Sequence, residues 1–345
     1  MLLLTVLIFT IVGALIGLGP TFLQVGNWAI LWLVFSSLLL GFALGGEWGG
    51  AFLLMTENVK EERKGFWSAF PQSTPGIGLL LGSVTYFALA SAISANQMYD
   101  FGWRIPFLLC VPIGLVGLVI RYRVSETTAF QAVLANKKNG EEGTRSVGRL
   151  KDYRRHLLLG TLLVGSSGNI FFVGITLFPI VFELLKVVSV QWAQVGIGLY
   201  AMTDIVFVFI GGRLSDFKLS KFGRTISGRK SLVIASNIVF LCVVYPAFYS
   251  HSILSYLIIM MLFGVAHGLG YASVGLLISE NLPTGLRYTG NSMMFQIGNA
   301  FISAPASFIS VYLSSIAYAL YPAYPVVFSF VAFGAITQLE ETTVK

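Results

Sequence analysis

The chain of 345 residues is 56% hydrophobic and 14% aromatic, but only 11% of it is charged. A soluble domain carries roughly 25% charged residues to make a hydrated exterior, so that class is excluded. The formal net charge of +7 is confined to loops between apolar runs, which ties it to membrane topology and excludes a nucleic-acid partner.

A helix needs about 20 mostly apolar residues to cross the hydrocarbon core. Ten segments meet that length: 2–22, 28–57, 66–93, 104–122, 156–183, 192–212, 231–249, 253–279, 291–313 and 321–339. Helices are expected in all of them, because lipid offers no partners to open backbone groups. No basic residue precedes the first run, which is also longer than a signal-peptide core, so an uncleaved span is expected there. Gly76, Gly78, Pro112, Pro179 and Pro305 fall within spans, where they allow close helix packing and local bends.

Basic residues set the orientation. Lys60, Arg63 and Lys64 follow the second span. Nine more lie between Arg121 and Arg155, six between Arg213 and Lys230, and Arg287 and Lys345 complete the set. Of the 22 lysines and arginines, only Arg104 and Lys186 fall on the opposite side. The loop 121–155 and both chain ends are therefore expected in the cytoplasm of a multi-pass cell-membrane protein. Arg104 reads as an anchor at the external membrane edge.

The polar segment 123–155 divides the chain into an N-terminal bundle of four spans, 1–122, and a C-terminal bundle of six, 156–345. The two echo each other. Glu57, Arg63, Gly65 and Gln72 follow the second span, and Glu280, Arg287, Gly290 and Gln296 follow the eighth; the Glu-to-Gln intervals are 15 and 16 residues. Residues 125–128, Ser-Glu-Thr-Thr, follow the fourth span, and residues 340–343, Glu-Glu-Thr-Thr, follow the tenth. Matched anchors indicate two related helical units, and a four-plus-six division then implies two helices ahead of residue 1.

Cys110 and Cys242 lie inside apolar runs, and His156, His251 and His267 are scattered, so neither a structural disulfide nor a metal site is expected. No phosphate-binding loop, nucleophile elbow, zinc-protease or dinucleotide motif occurs. An enzyme is not expected, and no cofactor is implied.

Ionisable groups inside the membrane are costly and mark function by default. Glu47, Asp204 and His267 lie deep in spans two, six and eight. Each reads either as part of a substrate or proton pathway or as a buried polar contact between helices. Asp216, Arg229, Glu280 and Arg287 sit at helix ends on the basic side, either as ordinary surface ion pairs or as a gating network that parts during a conformational change.

Several motifs carry a family resemblance. Leu40-Gly41-Phe42-Ala43-Leu44-Gly45-Gly46-Glu47-Trp48-Gly49-Gly50-Ala51 resembles the fourth helix of the major facilitator superfamily, in its metabolite:proton symporter branch. Gly102-Trp103-Arg104-Ile105-Pro106-Phe107-Leu108-Leu109 resembles the start of that branch's helix six, and Ser125-Glu126-Thr127 the segment after it. Gly212-Arg213-Leu214-Ser215-Asp216 and Gly228-Arg229-Lys230 resemble the two halves of a cytoplasmic loop signature, and Leu286-Arg287-Tyr288-Thr289-Gly290 the start of helix eleven. The match runs from family helix three onward, without helices one and two. Ser37 and Leu40 stand where the family usually has Arg and Gln, and Asp216 and Gly228 are 12 residues apart in a loop that is shorter in the family. The expanded loop is expected to be solvated.

The resemblance implies an all-α membrane protein of about ten transmembrane helices in two pseudo-symmetric bundles. It implies a secondary active transporter that moves a small polar metabolite, an organic acid or zwitterionic osmolyte, by alternating access with proton coupling. It places Asn169, Gln72, Gln296 and Asn299 around the solute cavity, each equally readable as contact between helices, and favours the gating reading of Asp216, Arg229, Glu280 and Arg287, with Asp216 and Arg287 as a direct pair to test. The partners are then a small-molecule substrate, protons and the lipid bilayer. The alternative, from another class, is a truncated, non-transporting relative that acts as a sensor or subunit.

Overall fold

The computed structural model describes residues 2–45, 47–123, 149–221 and 224–340. Most of the 123–155 linker, and the echoes at 125–128 and 341–343, lie outside them. The main helices are α1 (Leu2–Gly17), α2 (Asn27–Leu44), α3 (Glu47–Glu57), α4 (Lys64–Ala92), α5 (Arg104–Arg123), α6 (Arg154–Phe172), α7 (Val190–Ser215), α8 (Gly228–Phe248), α9 (Ile253–Glu280), α10 (Thr284–Gly298) and α11 (Ala323–Gln338).

Seven helices among the described residues are long and apolar enough to cross a membrane. An eighth is the bent pair Ala95–Gly102 and Arg104–Ile120, with an angle of 43°, and Leu3–Gly17 and Asn27–Gly41 are shorter apolar helices. Each of the ten expected spans coincides with one of these. The second departs from expectation: instead of one helix over 28–57, α2 ends at Leu44 and α3 starts at Glu47. Adjacent glycines at 45 and 46 explain the break, since each costs a helix interior about 1 kcal/mol relative to alanine. The loop after α7 forms a short hairpin, with β1 (Lys218–Lys221) antiparallel to β2 (Arg224–Ser227) and Lys218 paired with Ser227.

Among the described residues three spans contain π-helical turns, the first being Met98–Gly102 ahead of α5. Val173–Leu177 links α6 to the helix Phe178–Leu184, and Asn299–Ser303 links α10 to the helix Ala306–Ile316. Such turns interrupt the regular backbone ladder and are common at functional positions.

The described chain falls into two compact units, one within Met1–Gly50 and Leu89–Gly148, the other within Ala51–Ala88 and Arg149–Lys345. In the first, α1 packs on α5 and α2: a Cβ at Gly13 would meet Cys110, and Trp32 Nε1 donates to Leu15 O at 3.1 Å. Arg104 lies over the Trp103 ring and donates to the carbonyls of Asp100 (2.8 Å) and Gly19 (3.0 Å), which ties the end of α1 to the start of α5.

In the second unit α4 packs with the later helices, although the sequence division had assigned span three to the first bundle. Its buried face explains the grouping. Gly65, Ser68, Ala69, Gln72, Ser73 and Gly76 recur at helical spacing and are small or polar. Small residues let two backbones approach, which is how helices associate where lipid removes the hydrophobic drive between them. A Cβ at Gly76 would lie 2.9 Å from Ile205 Cγ1, and Ser68 Oγ donates to Ala272 O at 3.1 Å.

α7 and α9 also approach each other backbone to backbone. A Cβ at Gly268 would lie 2.6 Å from Asp204 O and 2.9 Å from Val208 N. Backbone cannot yield as a flexible side chain does, and overpacking of this kind costs about 1–3 kcal/mol. Gly268→Ala is therefore expected to lower the thermal unfolding midpoint in detergent by several degrees. Gly334→Ala, inside α11 with nothing within 4 Å, should not lower it and should raise it slightly.

Candidate functional site

The crossing of α7 and α9 carries the principal site. Asp204 and His267 face each other across it, with His267 Nδ1 2.7 Å from Asp204 Oδ1. Asp204 is 0% exposed and His267 2%. The sequence had singled out both residues separately, and the fold makes them one group. Three rings surround the imidazole: Tyr271 at 4.5 Å between centroids, Phe171 at 5.2 Å and Tyr200 at 6.5 Å. A carboxyl group and an imidazole in contact are chemically able to pass a proton between them. Asp204 Oδ2 is buried and takes no hydrogen bond from any described residue.

The other pathway residues are distributed around the second unit. Gln72 is buried, and its Nε2 donates to the backbone O of Tyr271 at 2.9 Å, the residue whose ring lies tilted against His267. Asn169 is 1% exposed on α6, and neither of its amide atoms has a hydrogen-bond partner among the described residues. Asn299 opens the π-helical turn Asn299–Ser303, donates to Phe295 O at 3.0 Å, and its Oδ1 would meet a Cβ at Gly168. Gln296, half-buried one turn earlier on α10, has further contacts of its own. Glu47 begins α3, and its side chain lies outside what the structure describes.

A second cluster gathers at the ends of α3, α4, α7, α8, α9 and α10. Arg229, fully buried, forms an ion pair with Glu280, and Glu61 Oε1 lies 3.6 Å from it. Arg287 lies 3.6 Å from Glu57 and donates through Nε to the carbonyls of Ser279 (3.1 Å) and Leu282 (3.0 Å). Asp216 does not pair with Arg287. Its carboxylate instead accepts the backbone N–H of Gly65 (2.6 Å) and of Phe66 (3.0 Å), the first free amides of α4. A helix N-terminus presents unpaired donors and partial positive charge, so a carboxylate seats there readily. The four gate residues expected from sequence thus share one end of the unit, but their partners include Glu57, Glu61 and two backbone amides that sequence reasoning had not assigned to the network. Glu57 was visible in the sequence as a repeat anchor; nothing in it pointed to the amides.

Burial pushes the Asp216 carboxyl up from its ordinary 3.8, against the pull of the Phe66 and Gly65 amides and of the Arg229 and Arg213 guanidiniums. For a carboxyl raised in the folded state, the stabilising contribution is present below the unfolded value and is lost as the pH rises through the folded one. At neutral pH the ionisation of Asp216 therefore makes no favourable contribution to this state, and what the residue supplies is its pair of hydrogen bonds to the start of α4.

These observations define a multi-pass helical membrane protein with a buried Asp204–His267 pair in one unit and a charge cluster at the end of the same helices. The Major Facilitator Superfamily profile matches residues 2–307, and the chain belongs to that superfamily of transporters, which is not a family of enzymes. It is 30% identical to the inner membrane metabolite transport protein YhjE of Escherichia coli K12 over 327 residues, covering 91% of this chain and 70% of that protein. It is 27% identical to the ectoine/proline transporter ProP of Corynebacterium glutamicum over 327 residues, covering 90% of this chain and 62% of that protein. Its fold is similar to the solved structure of the proton:xylose symporter XylE bound to 6-bromo-6-deoxy-D-glucose, with a TM-score of 0.73 at 19% identity, covering 97% of this chain and 78% of that one.

Breaking one partner of a buried ion pair costs about 3–5 kcal/mol, whereas replacing both by apolar groups is often neutral. Arg229→Ala should therefore destabilise the protein strongly in detergent, and Arg229→Met with Glu280→Leu should recover most of the loss. Asp216→Asn should change the unfolding midpoint little at neutral pH.

Proposed function

We propose that this protein is a proton-coupled secondary transporter for a small polar metabolite, an organic acid or zwitterionic osmolyte, working by alternating access. The observation that carries the coupling is the buried Asp204–His267 contact at 2.7 Å. The substrate class rests on the relatives' names, which include a citrate-proton symporter, a proline/betaine transporter and a shikimate transporter. Asn169, Gln72, Gln296 and Asn299 line the solute pathway in this reading, and Glu47 belongs to it by position. Asp216, Arg229, Glu280 and Arg287 form the cytoplasmic gate: their contacts hold the helix ends together in one state and part in the other. The protein sits in the cell membrane with both chain ends and the 121–155 loop in the cytoplasm, which follows from the one-sided basic residues.

The energetics set the scale of the test. A pH difference of one unit is worth about 1.4 kcal/mol per proton, so coupling one proton to one solute supports about tenfold accumulation. In proteoliposomes, labelled citrate, proline, betaine and shikimate are to be tested with and without an imposed pH gradient. Accumulation of at least one compound only with the gradient is expected, and Asp204→Asn or His267→Gln should reduce it to equilibration while exchange across the membrane continues. Absence of uptake by well-folded protein for every polar metabolite tried would favour the sensor or subunit alternative.

Orientation is tested separately. With Cys110 and Cys242 replaced, Ser146→Cys should react with a membrane-impermeant maleimide only after the cells are opened. Labelling from outside intact cells would reverse the assignment.

A further inference from the structure

The proton-accepting pair and the cytoplasmic cluster touch the same helix. At its start, α4 is held by Asp216 through the amides of Gly65 and Phe66. Along its length it meets the pair itself: a Cβ built on Gly76 would lie 2.9 Å from Asp204 Oδ2. That oxygen is the buried one without a hydrogen-bond partner among the described residues. Two further bonds fix α4 to α9 between these points, Ser68 Oγ to Ala272 O at 3.1 Å and Gln72 Nε2 to Tyr271 O at 2.9 Å. Gly65 and Gly76 lie about 16 Å apart along the helix axis at 1.5 Å per residue.

An orphaned carboxylate oxygen against bare helix backbone is costly as it stands. It is also the atom at which Asp204 would gain or lose a proton, because Oδ1 is already engaged by His267. The titratable groups that face Asp204 are His267 and Tyr271 on α9 and Tyr200 on its own helix. From α4 the contact is the hydrogen-bearing Cα of Gly76, which can neither donate nor accept. While α4 is seated, it shields Oδ2; when α4 moves away, Oδ2 opens and the helix start leaves Asp216.

We propose that α4 is the lid on the proton-exchanging oxygen of Asp204, with Gly76 as its point of closure and Asp216 as the latch on its far end. This rests on the proposed role of Asp204 and His267 as the proton carrier. It makes proton exchange and opening of the cytoplasmic cluster a single movement of one helix. Gly76 is then a positioning residue whose missing side chain lets the lid seat against Oδ2. A methyl group there would sit 2.9 Å from both Oδ2 and Ile205 Cγ1, tighter than van der Waals contact, and would hold the lid ajar.

The test reads access to Asp204 directly, with dicyclohexylcarbodiimide on the full-length protein in liposomes and site-resolved mass spectrometry. The protonated carboxyl adds across the reagent: its oxygen bonds to the carbodiimide carbon, its proton passes to nitrogen, and acyl migration leaves a stable N-acylurea with no leaving group. Wild-type Asp204 is expected to label slowly. Gly76→Ala should label faster, and Gly78→Ala, which has nothing within 4 Å, should match wild type. Asp216→Ala removes both bonds to the Gly65 and Phe66 amides, adds no bulk near Asp204 and should still raise labelling there by about fivefold, the ratio that loss of one helix cap gives; it carries the test if Gly76→Ala fails to fold. Equal labelling in all four proteins, or wild-type labelling as fast as in unfolded protein, would overturn the lid. Because labelling needs no substrate, a failed uptake experiment with the expected labelling pattern would remove the transport reading and leave the lid. Gradient-driven uptake with invariant labelling would do the reverse.

Discussion

The close approach of α7 and α9 is the constraint from which the site follows. Gly264 and Gly268 on α9 lie against the backbone of α7 between Tyr200 and Val208, and no larger residue fits there. Only at that separation can the short side chain of Asp204 reach His267. In water a carboxylate and an imidazole would find solvent partners on their own. Inside a membrane-spanning bundle neither can be left unpaired without a cost of several kcal/mol, so the helix crossing and the pair require each other.

The same logic extends to α4. This helix shows glycine, serine and glutamine to its neighbours, and it is attached by close backbone contact and a few directed hydrogen bonds together with Phe66 and Phe70 against Phe209. Such an interface can part and re-form with little loss, because each contact is individually modest. The buried Arg229–Glu280 pair is a different kind of feature. It is surrounded by protein and expensive to leave half-broken, so it suits a network with two discrete arrangements better than one that deforms gradually. Asp216, which gains nothing from ionisation in this state beyond its hold on α4, links the two regions.

Sequence made the class of protein plain. Ten apolar runs of membrane-spanning length, and the confinement of basic residues to one side, are local properties, because the bilayer acts on each segment separately. The break near Gly45 was missed because a span-length count cannot see that two glycines are enough to stop a helix. The placement of α4 with the later helices was likewise not legible, because small residues mark a packing face without naming its partner.

For the site, the sequence determined which residues are out of place in lipid: Asp204 and His267 in mid-span, Asn169 and Gln72 on helices, and charges at the ends of α7, α8, α9 and α10. That much follows from the cost of burying a polar group, which is written residue by residue. Tertiary structure alone decided who meets whom. It joined Asp204 to His267 across residues far apart in the chain, gave Arg287 to Glu57 and Arg229 to Glu280, and turned Asp216 toward the amides of Gly65 and Phe66. These pairings depend on crossing angle and axial register between helices, which arise from the shapes of two packed surfaces together. Neither surface contains that information by itself.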